Sequence, residues 1–539
     1  MATGRKSKGF LFFKKYHKWV SLVLALFILF FAVSGIILNH RSWLSGADVD
    51  RKFLPEVYQY KNWNLAAVKG GLKIGSDSML VYGNIGAWLA NDDLKIFSDF
   101  NRGFPSGIDN RKISKIVETK NGRLFAATFF GLYSRKGLNE FWEKLPLPVD
   151  ELRIVDICIE EENLFVLTRS NLLTASLSDE LLMPQIKTLP PPINDDKKAS
   201  LFRTLWVIHS GEIYGTIGKL FVDFVGFIFI FLTITGLAYF LFPKIICFRK
   251  KKDLKVKTLA VATKFSLKWH NKIGWWLAAV LILTTLTGMF LRPPLLIPIA
   301  NTKVGQIPFS KLATKNPWDD KLRGMLPDGE AGMFILNTSD GFYYTGKDLQ
   351  MPFMPFEVQP PVSVMGITVF EKMDTDSYLI GSFSGLYKWL QKKEYVEDFI
   401  AGRPPVSAGR SGSPISENAV SGFVKDFAGR SYFFDYGRGA VPLFYSKPFP
   451  EMPAKIIKNS PMSLWNVALE FHTARIYSVL VGDFYILIIP LAGLSMLFIL
   501  ISGFYLYWVA YRKKTPTKSR FQPGIDGGEV SINPGKNLC

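Results

Sequence analysis

Four long apolar runs dominate the pattern of hydrophobic and polar positions along the chain. They lie at about residues 19–38, 220–242, 273–291 and 484–510. A hydrocarbon core about 30 Å thick needs about 20 helical residues to cross it, and the backbone polar groups inside it must be satisfied within the segment. The pattern therefore predicts a membrane protein with four transmembrane α-helices.

The segments between these runs alternate in the way that short β-strands do. GRLFAATFFGLYSR (122–135) and DSYLIGSFSGLYKW (376–389) share a strand, small residues and G-L-Y before a basic residue, and looser copies lie at 78–92, 162–177, 332–346 and 429–439. Short strands broken by Gly, Asn and Asp at a recurring interval are typical of repeated β-meanders. The pattern predicts two large β-rich insertions, which form either two independent domains or one propeller-like domain.

Basic residues flank the apolar runs on one side. The chain has a formal net charge of +20, and Lys and Arg are concentrated in the N-terminal segment, in the loop PKIICFRKKKDLKVK (243–257) and in YRKKTPTKSR (511–520). Because Lys and Arg favour the cytoplasmic side, both termini are predicted to be cytoplasmic and both insertions periplasmic. The charge lies beside membrane segments, which indicates contact with membrane lipid and no nucleic-acid partner.

These boundaries divide the chain into eight parts. They are an N-terminal cytoplasmic segment with the first helix (1–43), the first β-rich insertion (44–205), the second helix (206–243), a basic cytoplasmic loop (244–270), the third helix (271–292), the second β-rich insertion (293–465), the fourth helix (466–511) and a cytoplasmic tail (512–539).

The membrane part contains an internal repeat. KYHKWVSLVLALFILFFAVSG (15–35) aligns with KWHNKIGWWLAAVLILTTLTG (268–288), and HSGEIYGTIGK (209–219) aligns with HTARIYSVLVG (472–482). Both halves have the same predicted orientation, so they form two parallel pseudo-repeats about an axis along the membrane normal. Residues at equivalent positions are expected to face each other across that axis.

All five histidines lie near predicted helix ends. His17 with His270 at the cytoplasmic face, and His209 with His472 at the outer face, are the candidate axial ligands of two haem irons, because neutral imidazoles on facing helices can hold one porphyrin. His40 has no repeat counterpart; it either replaces His472 as a ligand or faces the substrate. The chain has no C-x-x-C-H, so any haem is b-type. Zinc bound by the three outer histidines is an alternative.

Each predicted helix also carries Ser or Thr followed by Gly. The four glycines, Gly35, Gly236, Gly288 and Gly503, are predicted either to form flat walls beside the porphyrins or to serve helix packing alone. Asp223 and Asp483 are interface carboxylates, or proton relays if they are buried.

Two of these segments resemble a known family. KYHKWVSLVLALFILFFAVSGIILNHR (15–41) is similar to the first helix of PepSY-associated transmembrane proteins, and IHSGEIYGTIGKLFVDFVGFIFIFLTITGLAYF (208–240) is similar to their H-S/T-G helix. The resemblance covers the four helices, about a quarter of the chain, and departs in the insertions, where no convincing PepSY module is found. It implies a bacterial inner-membrane protein that carries two b-type haems and passes electrons outward, as a ferric-siderophore reductase-like oxidoreductase of iron uptake.

The electron donor is expected to be a separate molecule. No G-x-G-x-x-G follows a predicted strand on the cytoplasmic side, so a membrane quinol or a cytoplasmic reductase is implied as donor, with a ferric siderophore or another periplasmic acceptor. The alternative function is that of a non-enzymatic, membrane-anchored periplasmic binding or assembly protein.

Overall fold

Two compact units make up the chain in the computed structural model. The structure describes residues 8–179, 182–362, 366–405, 418–426, 429–444 and 447–511. The first unit contains 1–40, 198–313 and 468–539, and the second contains 41–197 and 314–467. The basic tail 512–539 and the first part of the basic N-terminal segment, both predicted to be cytoplasmic, lie outside the described residues.

The first unit is largely helical. The α-helices within the described part of the chain are α1 (Lys8–Asn39), α2 (Leu201–Ser210), α3 (Gly215–Lys250), α4 (Lys257–Trp276), α5 (Ala278–Met289), α6 (Ala454–Lys458), α7 (Leu464–His472), α8 (Ser478–Val481) and α9 (Ile488–Tyr511). Of these, α6 and the start of α7 belong to the second unit. The helix α1 packs on α3 and α9, α3 packs on α4, and α9 packs on α4 and α5.

Three helical segments of the described chain are long and apolar enough to cross a membrane, namely Lys8–Asn39, Glu212–Lys250 and Arg475–Ala510. Most of their residues are not buried within the protein, and apolar surface of this extent requires a lipid environment. The third predicted run, 273–291, differs from expectation because α4 and α5 meet at a bend of 68°. Leu277 leaves the helical conformation between them, and hydropathy alone does not encode such a bend.

The short helices α2 and α7 precede the second and fourth spans and were not predicted. The Ser200 hydroxyl caps α2 by accepting a hydrogen bond from the backbone N–H of Arg203. After each histidine-ending helix the chain turns through a left-handed residue, Gly211 or Ala474, and one 3₁₀ turn. The two aligned segments HSGEIY and HTARIY therefore share one backbone path.

The second unit is built from antiparallel strands. The strand β1 (Asp48–Val49) stands apart from the first three sheets. The strands of these sheets are β2 (Gly70–Ile74), β3 (Ser78–Gly83), β4 (Gly86–Asn91), β5 (Phe97–Asp99), β6 (Ile113–Glu118), β7 (Leu124–Thr128), β8 (Gly131–Arg135), β9 (Glu143–Leu145), β10 (Ile154–Glu160), β11 (Asn163–Thr168), β12 (Leu172–Ser176) and β13 (Gln185–Lys187). In the first unit, β14 (Lys198–Ser200) pairs with β15 (Lys303–Gly305).

Three further sheets follow in the second insertion. Their strands are β16 (Leu322–Asp328), β17 (Met333–Thr338), β18 (Gly341–Gly346), β19 (Met354–Pro355), β20 (Ile367–Asp374), β21 (Ser377–Ser382), β22 (Gly385–Leu390), β23 (Tyr395–Asp398), β24 (Val420–Lys425), β25 (Ser431–Asp435) and β26 (Gly439–Pro442), and β27 (Met462–Ser463) pairs with β1. Among the described residues each sheet is a meander, with four strands in five sheets and three in the sixth. Five of the repeated sequence units coincide with the central hairpins of the four-stranded sheets, and the sixth, 429–439, covers β25 and the turn into β26.

Neighbouring sheets pack face to face. A separate hydrophobic core lies between each sheet and the next, and one core joins the sixth sheet to the first through Val81, Trp88, Val424 and Phe434. The first strands β2, β6, β10, β16, β20 and β24 contact one another in that cyclic order. The segment between β1 and β2 also hydrogen-bonds to the sixth sheet, since the Ala440 N–H donates to the Asn62 carbonyl at 2.9 Å.

Candidate functional site

Four histidines of the helical unit form two pairs. The ring centroids of His17 on α1 and His270 on α4 are 6.3 Å apart, with an interplanar angle of 83°. Those of His209, near the end of α2, and His472, at the end of α7, are 6.1 Å apart at 48°. The structure therefore brings together the residues that the internal repeat pairs by sequence.

Each imidazole is held in the same way by a neighbouring helix. The Nδ1–H of His17 donates to the Ile499 carbonyl at 3.1 Å and lies 3.0 Å from the Ser502 hydroxyl. The Nδ1–H of His270 donates to the Leu232 carbonyl at 3.0 Å and lies 3.1 Å from the Thr235 hydroxyl. A carbonyl oxygen only accepts, so Nδ1 carries the proton in both rings.

The second pair repeats this arrangement. The Nδ1–H of His209 donates to the Thr284 carbonyl at 3.0 Å, beside the Thr287 hydroxyl at 3.3 Å. The Nδ1–H of His472 donates to the Phe31 carbonyl at 3.0 Å and lies 3.1 Å from the Ser34 hydroxyl. In all four rings Nε2 is then the unprotonated nitrogen, and this tautomer is the one that binds a metal through Nε2.

The glycine of each Ser/Thr-Gly pair makes room for the imidazole. A Cβ atom added to Gly35 would lie 3.2 Å from Cε1 of His472, and one added to Gly288 would lie 2.6 Å from Cε1 of His209. A Cβ added to Gly236 would lie 3.3 Å from Cε1 of His270, and one added to Gly503 would lie 3.1 Å from Cε1 of His17. The nearest groups at these glycines are thus histidine rings, a contact that the prediction of porphyrin walls did not include. We call each Ser/Thr, Gly and carbonyl set a histidine cradle.

The two pairs lie near opposite ends of α1. His17 belongs to the first pair, and Gly35, which contacts His472 of the second pair, is 18 residues further along this continuous helix. At a rise of 1.5 Å per residue these positions are about 27 Å apart, close to the thickness of the hydrocarbon core of about 30 Å.

Burial keeps the outer pair neutral. Removal from water lowers the pKa of His209 and, reinforced by the nearby charges of His209 and Arg292, lowers that of His472 to about 3. Both rings are neutral at ordinary pH, as a metal ligand must be.

His40 lies in a different network. Its Nε2 is 2.7 Å from Oδ2 of Asp223, and the Asn39 side-chain amide donates to Oδ1 of the same carboxylate at 2.8 Å. Asp223 is buried, whereas Asp483 is exposed. The structure thus places His472, and not His40, opposite His209. A group of three or more His, Cys, Asp or Glu side chains able to hold a metal is not found within the described residues.

The sequence matches the model of one known protein family. The model of the PepSY-associated TM region matches residues 1–242 and 186–361. The chain belongs to this family. In this family member the matched residues include His17, His209 and His270, while His472 lies beyond them. The chain is accordingly a membrane protein with β-rich domains.

Other comparisons are weaker. No curated protein matches the sequence of this family member. Two solved structures of extracellular domains from B. thetaiotaomicron, described as belonging to a one component system and a hybrid two component system, are similar at 9% identity over 70% of this chain, with TM-scores of 0.35 and 0.36. The chain spans 33% of the length of each.

Proposed function

We propose that this protein is a dihaem b electron-transfer protein of the bacterial inner membrane, which reduces a ferric siderophore or another ferric complex at the periplasmic face during iron uptake. His17 and His270 hold one haem, and His209 and His472 hold the other. The observation that carries the proposal is the fourfold histidine cradle, which fixes an Nε2 lone pair in each member of two facing pairs.

The two rings of each pair are close enough to bind the same group. Their centroids lie 6.3 Å apart in one pair and 6.1 Å apart in the other. Because the cradle engages Nδ1 of each ring, the Nε2 atoms would be the ligands of a haem iron. Haem iron, when bound, carries one electron at a time by cycling between its ferric and ferrous states.

The chain's own residues keep the sites ready. The cradle carbonyls hold the Nδ1 protons, and this second-shell bond fixes the ring orientation and raises the basicity of Nε2. One electron per ferric ion has to come from a quinol or a separate cytoplasmic reductase. Reduction of the iron weakens its hold on hard oxygen ligands, and the metal is then released.

We infer four membrane spans with both termini in the cytoplasm; the orientation rests on the Lys and Arg residues beside the spans, and the number of spans on the fold of the insertions. All six sheets belong to one compact unit, and folded sheets of this kind cannot lie on both sides of a bilayer. If α3 crosses the bilayer between the third and fourth sheets, the chain has to return before residue 314. The apolar α4–α5 pair is the segment able to do so, despite its bend.

The six sheets are best explained as the blades of a single propeller-like domain. Three features support this assembly: the cyclic contacts of the first strands, the six cores between successive sheets, and the hydrogen bond from the sixth sheet back to Asn62.

Haem content tests the proposal. The purified protein is expected to show a Soret band and an α-band that sharpens on dithionite reduction, with two haems per chain. His17→Ala and His270→Ala are each expected to remove about half of the haem, and His209→Ala and His472→Ala the other half. His40→Ala is the matched control, because His40 binds Asp223. A protein without a Soret band would contradict the proposal and favour the membrane-anchored binding protein.

A further inference from the structure

Basic side chains recur near the start of the first strand in four successive sheets. Lys69, Lys112 and Arg153 each directly precede the first strand of sheets one, two and three, and Arg323 is the second residue of the first strand of sheet four. Because these first strands contact one another in cyclic order, equivalent positions lie around one ring. Together with two further arginines they define the cation ring: Arg41, Lys69, Lys112, Arg153, Arg169 and Arg323.

The members of the ring are close enough to affect one another. Burial lowers the pKa of Lys69 to about 8, with further contributions from the charges of Arg153, Lys112 and Arg41. Burial likewise lowers the pKa of Arg153 to about 10, followed by the effects of Arg169, Arg41 and Arg323. The six cations therefore form one cluster of like charge.

Three carboxylates neutralise only part of this charge. Asp109 accepts two hydrogen bonds from Arg41, at 2.7 and 2.9 Å, and one from Lys112 at 2.7 Å. Asp320 pairs with Arg169 at 2.7 Å. The third carboxylate, Glu151, accepts from the backbone N–H of Arg169.

Lys69 and Arg153 are two members of the cation ring with which none of these carboxylates pairs. Among the described residues neither side chain has an ion-pair or hydrogen-bond partner; the Arg153 guanidinium lies 5.1 Å from the centroid of the Phe129 ring. The Arg41 guanidinium lies 3.6 Å from the same ring. Two cations are thus held beside like charges without a carboxylate of their own, which costs free energy that a bound anion would offset.

Solvent reaches the ring at Arg153. The Arg153 side chain is exposed and that of Lys69 is half-buried. A dissolved anion can therefore contact the Arg153 guanidinium, which lies beside the other cations of the ring.

We propose that the cation ring binds an anionic iron(III) chelate whose oxygen donors are carboxylates. This inference rests on the proposed reductase function and names its substrate class. The guanidinium groups and the Lys69 ammonium would contact the outer carboxylate oxygens in charge-assisted hydrogen bonds. Neutral chelates lack the charge that the unpaired cations require and would bind weakly.

Gallium(III) citrate tests the binding apart from electron transfer, because Ga³⁺ is not reduced. Titration calorimetry of the full-length protein in phosphatidylcholine nanodiscs is expected to show binding that weakens with salt. The double variant Lys69→Ala/Arg153→Ala is expected to bind about a hundredfold more weakly, since two charge-assisted bonds are lost and each contributes about a factor of ten. The neutral tris(acetohydroxamate) complex of Ga³⁺ is expected to bind neither protein measurably.

Matched controls lie elsewhere on the same sheets. Arg102 is exposed and its guanidinium lies 4.4 Å from the Phe141 ring centroid, and Lys136 is exposed; Arg102→Ala/Lys136→Ala is expected to bind gallium citrate as the parent does. The thermal midpoint of the ring variant is expected to be unchanged or higher, because like-charge repulsion is relieved. If the thermal midpoint is lower, the variant Lys69→Gln/Arg153→Gln is used in place of the alanine variant.

The outcomes separate the two proposals. Equal gallium citrate affinity in the ring variant and the parent, or equal affinity for metal-free citrate and for the chelate, would overturn the assignment of the ring. Ring-dependent binding in a protein that lacks haem would refute the reductase function and leave the binding site intact. Haem-dependent reduction of ferric citrate with an unchanged KM in the ring variant would refute the ring alone.

Discussion

At the scale of single residues, the four cradle glycines are the most restrictive positions of the helical unit. A Cβ at Gly288 would lie 2.6 Å from Cε1 and 3.1 Å from Nδ1 of His209. The contact of 2.6 Å is too short for real atoms, so the imidazole has to move. The Ser/Thr-Gly pattern was visible in the sequence, but its match to particular histidines was not, because it depends on how α2 and α5 approach each other.

Gly288→Ala is therefore expected to remove the haem that we propose at His209 and His472 while leaving the helix intact. Alanine favours helix over glycine by about 1 kcal/mol, so haem loss would come from displacement of His209. Gly274→Ala is the control, since no atom lies within 4 Å of a Cβ built at Gly274. Haem per protein, measured by pyridine haemochrome, is expected to fall to about half in Gly288→Ala and to stay at the parent level in the control. Full haem content in Gly288→Ala would contradict the cradle.

Asp109 makes the stability of the second unit depend on pH. Burial acts to raise its pKa, but hydrogen bonds and charges from Arg41 and Lys112 outweigh burial and hold the pKa at about 2, below the ordinary value of 3.8. A depressed carboxyl pKa stabilises the fold above pH 3.8, and this contribution is lost as the pH falls through 2. The difference between these two pKa values corresponds to about 2 kcal/mol in the free energy of unfolding.

Asp109→Asn is accordingly expected to lower the free energy of unfolding by about 2 kcal/mol at pH 7, with the deficit shrinking as the pH falls from 4 to 2. Urea unfolding followed by tryptophan fluorescence measures both values. Asp50→Asn removes an exposed ion pair with Lys52 and is expected to leave the free energy of unfolding nearly unchanged, because solvent screens the pair. A deficit that does not change with pH would mean that Asp109 acts by packing and not by charge.

At the scale of elements, one buried carboxylate joins three sheets. Asp156 on β10 pairs with Lys115 on β6 at 3.0 Å and accepts a hydrogen bond from the Met325 N–H on β16 at 2.9 Å. Asp156→Ala leaves a largely enclosed ammonium without its partner and is expected to cost about 3 kcal/mol. Asp179→Ala changes an exposed residue after β12 and is expected to be neutral. Equal unfolding midpoints for the two variants would show that Asp156 does not hold the sheets together.

The sequence predicts some elements far better than others. The central hairpins carry the alternation and turn residues that define strands, and GLY at 131–133 and 385–387 marks two of them. The first strands are harder to recognise because Lys115, Asp156 and Glu371 interrupt their apolar pattern, and five of the six contain a bulge. The bend at Leu277 and the short helices α2 and α7 arise from tertiary packing, which hydropathy does not report.

At the scale of the whole molecule, the membrane topology follows from the way the two insertions fold together. Residues of both insertions share one core, in which Leu167 and Leu172 of the third sheet pack with Leu322 and Leu336 of the fourth. The two insertions therefore lie on the same side of the membrane. An even number of crossings has to separate them, so α3 as a span requires the bent α4–α5 pair to be a span as well.

Accessibility of single cysteines tests this argument. With the three native cysteines replaced by serine, Lys120→Cys in the first insertion and Lys347→Cys in the second are expected to react with a membrane-impermeant maleimide on intact cells. Lys251→Cys, in the basic loop after α3, is expected to react only after lysis, because Lys and Arg favour the cytoplasmic face. All three lysines are exposed, so differences in labelling reflect the membrane and not burial. If Lys347→Cys reacts only after lysis, as Lys251→Cys is expected to, then α4–α5 is a re-entrant loop. Sheets three and four would then lie on opposite sides of the membrane, and the core that they share would be contradicted.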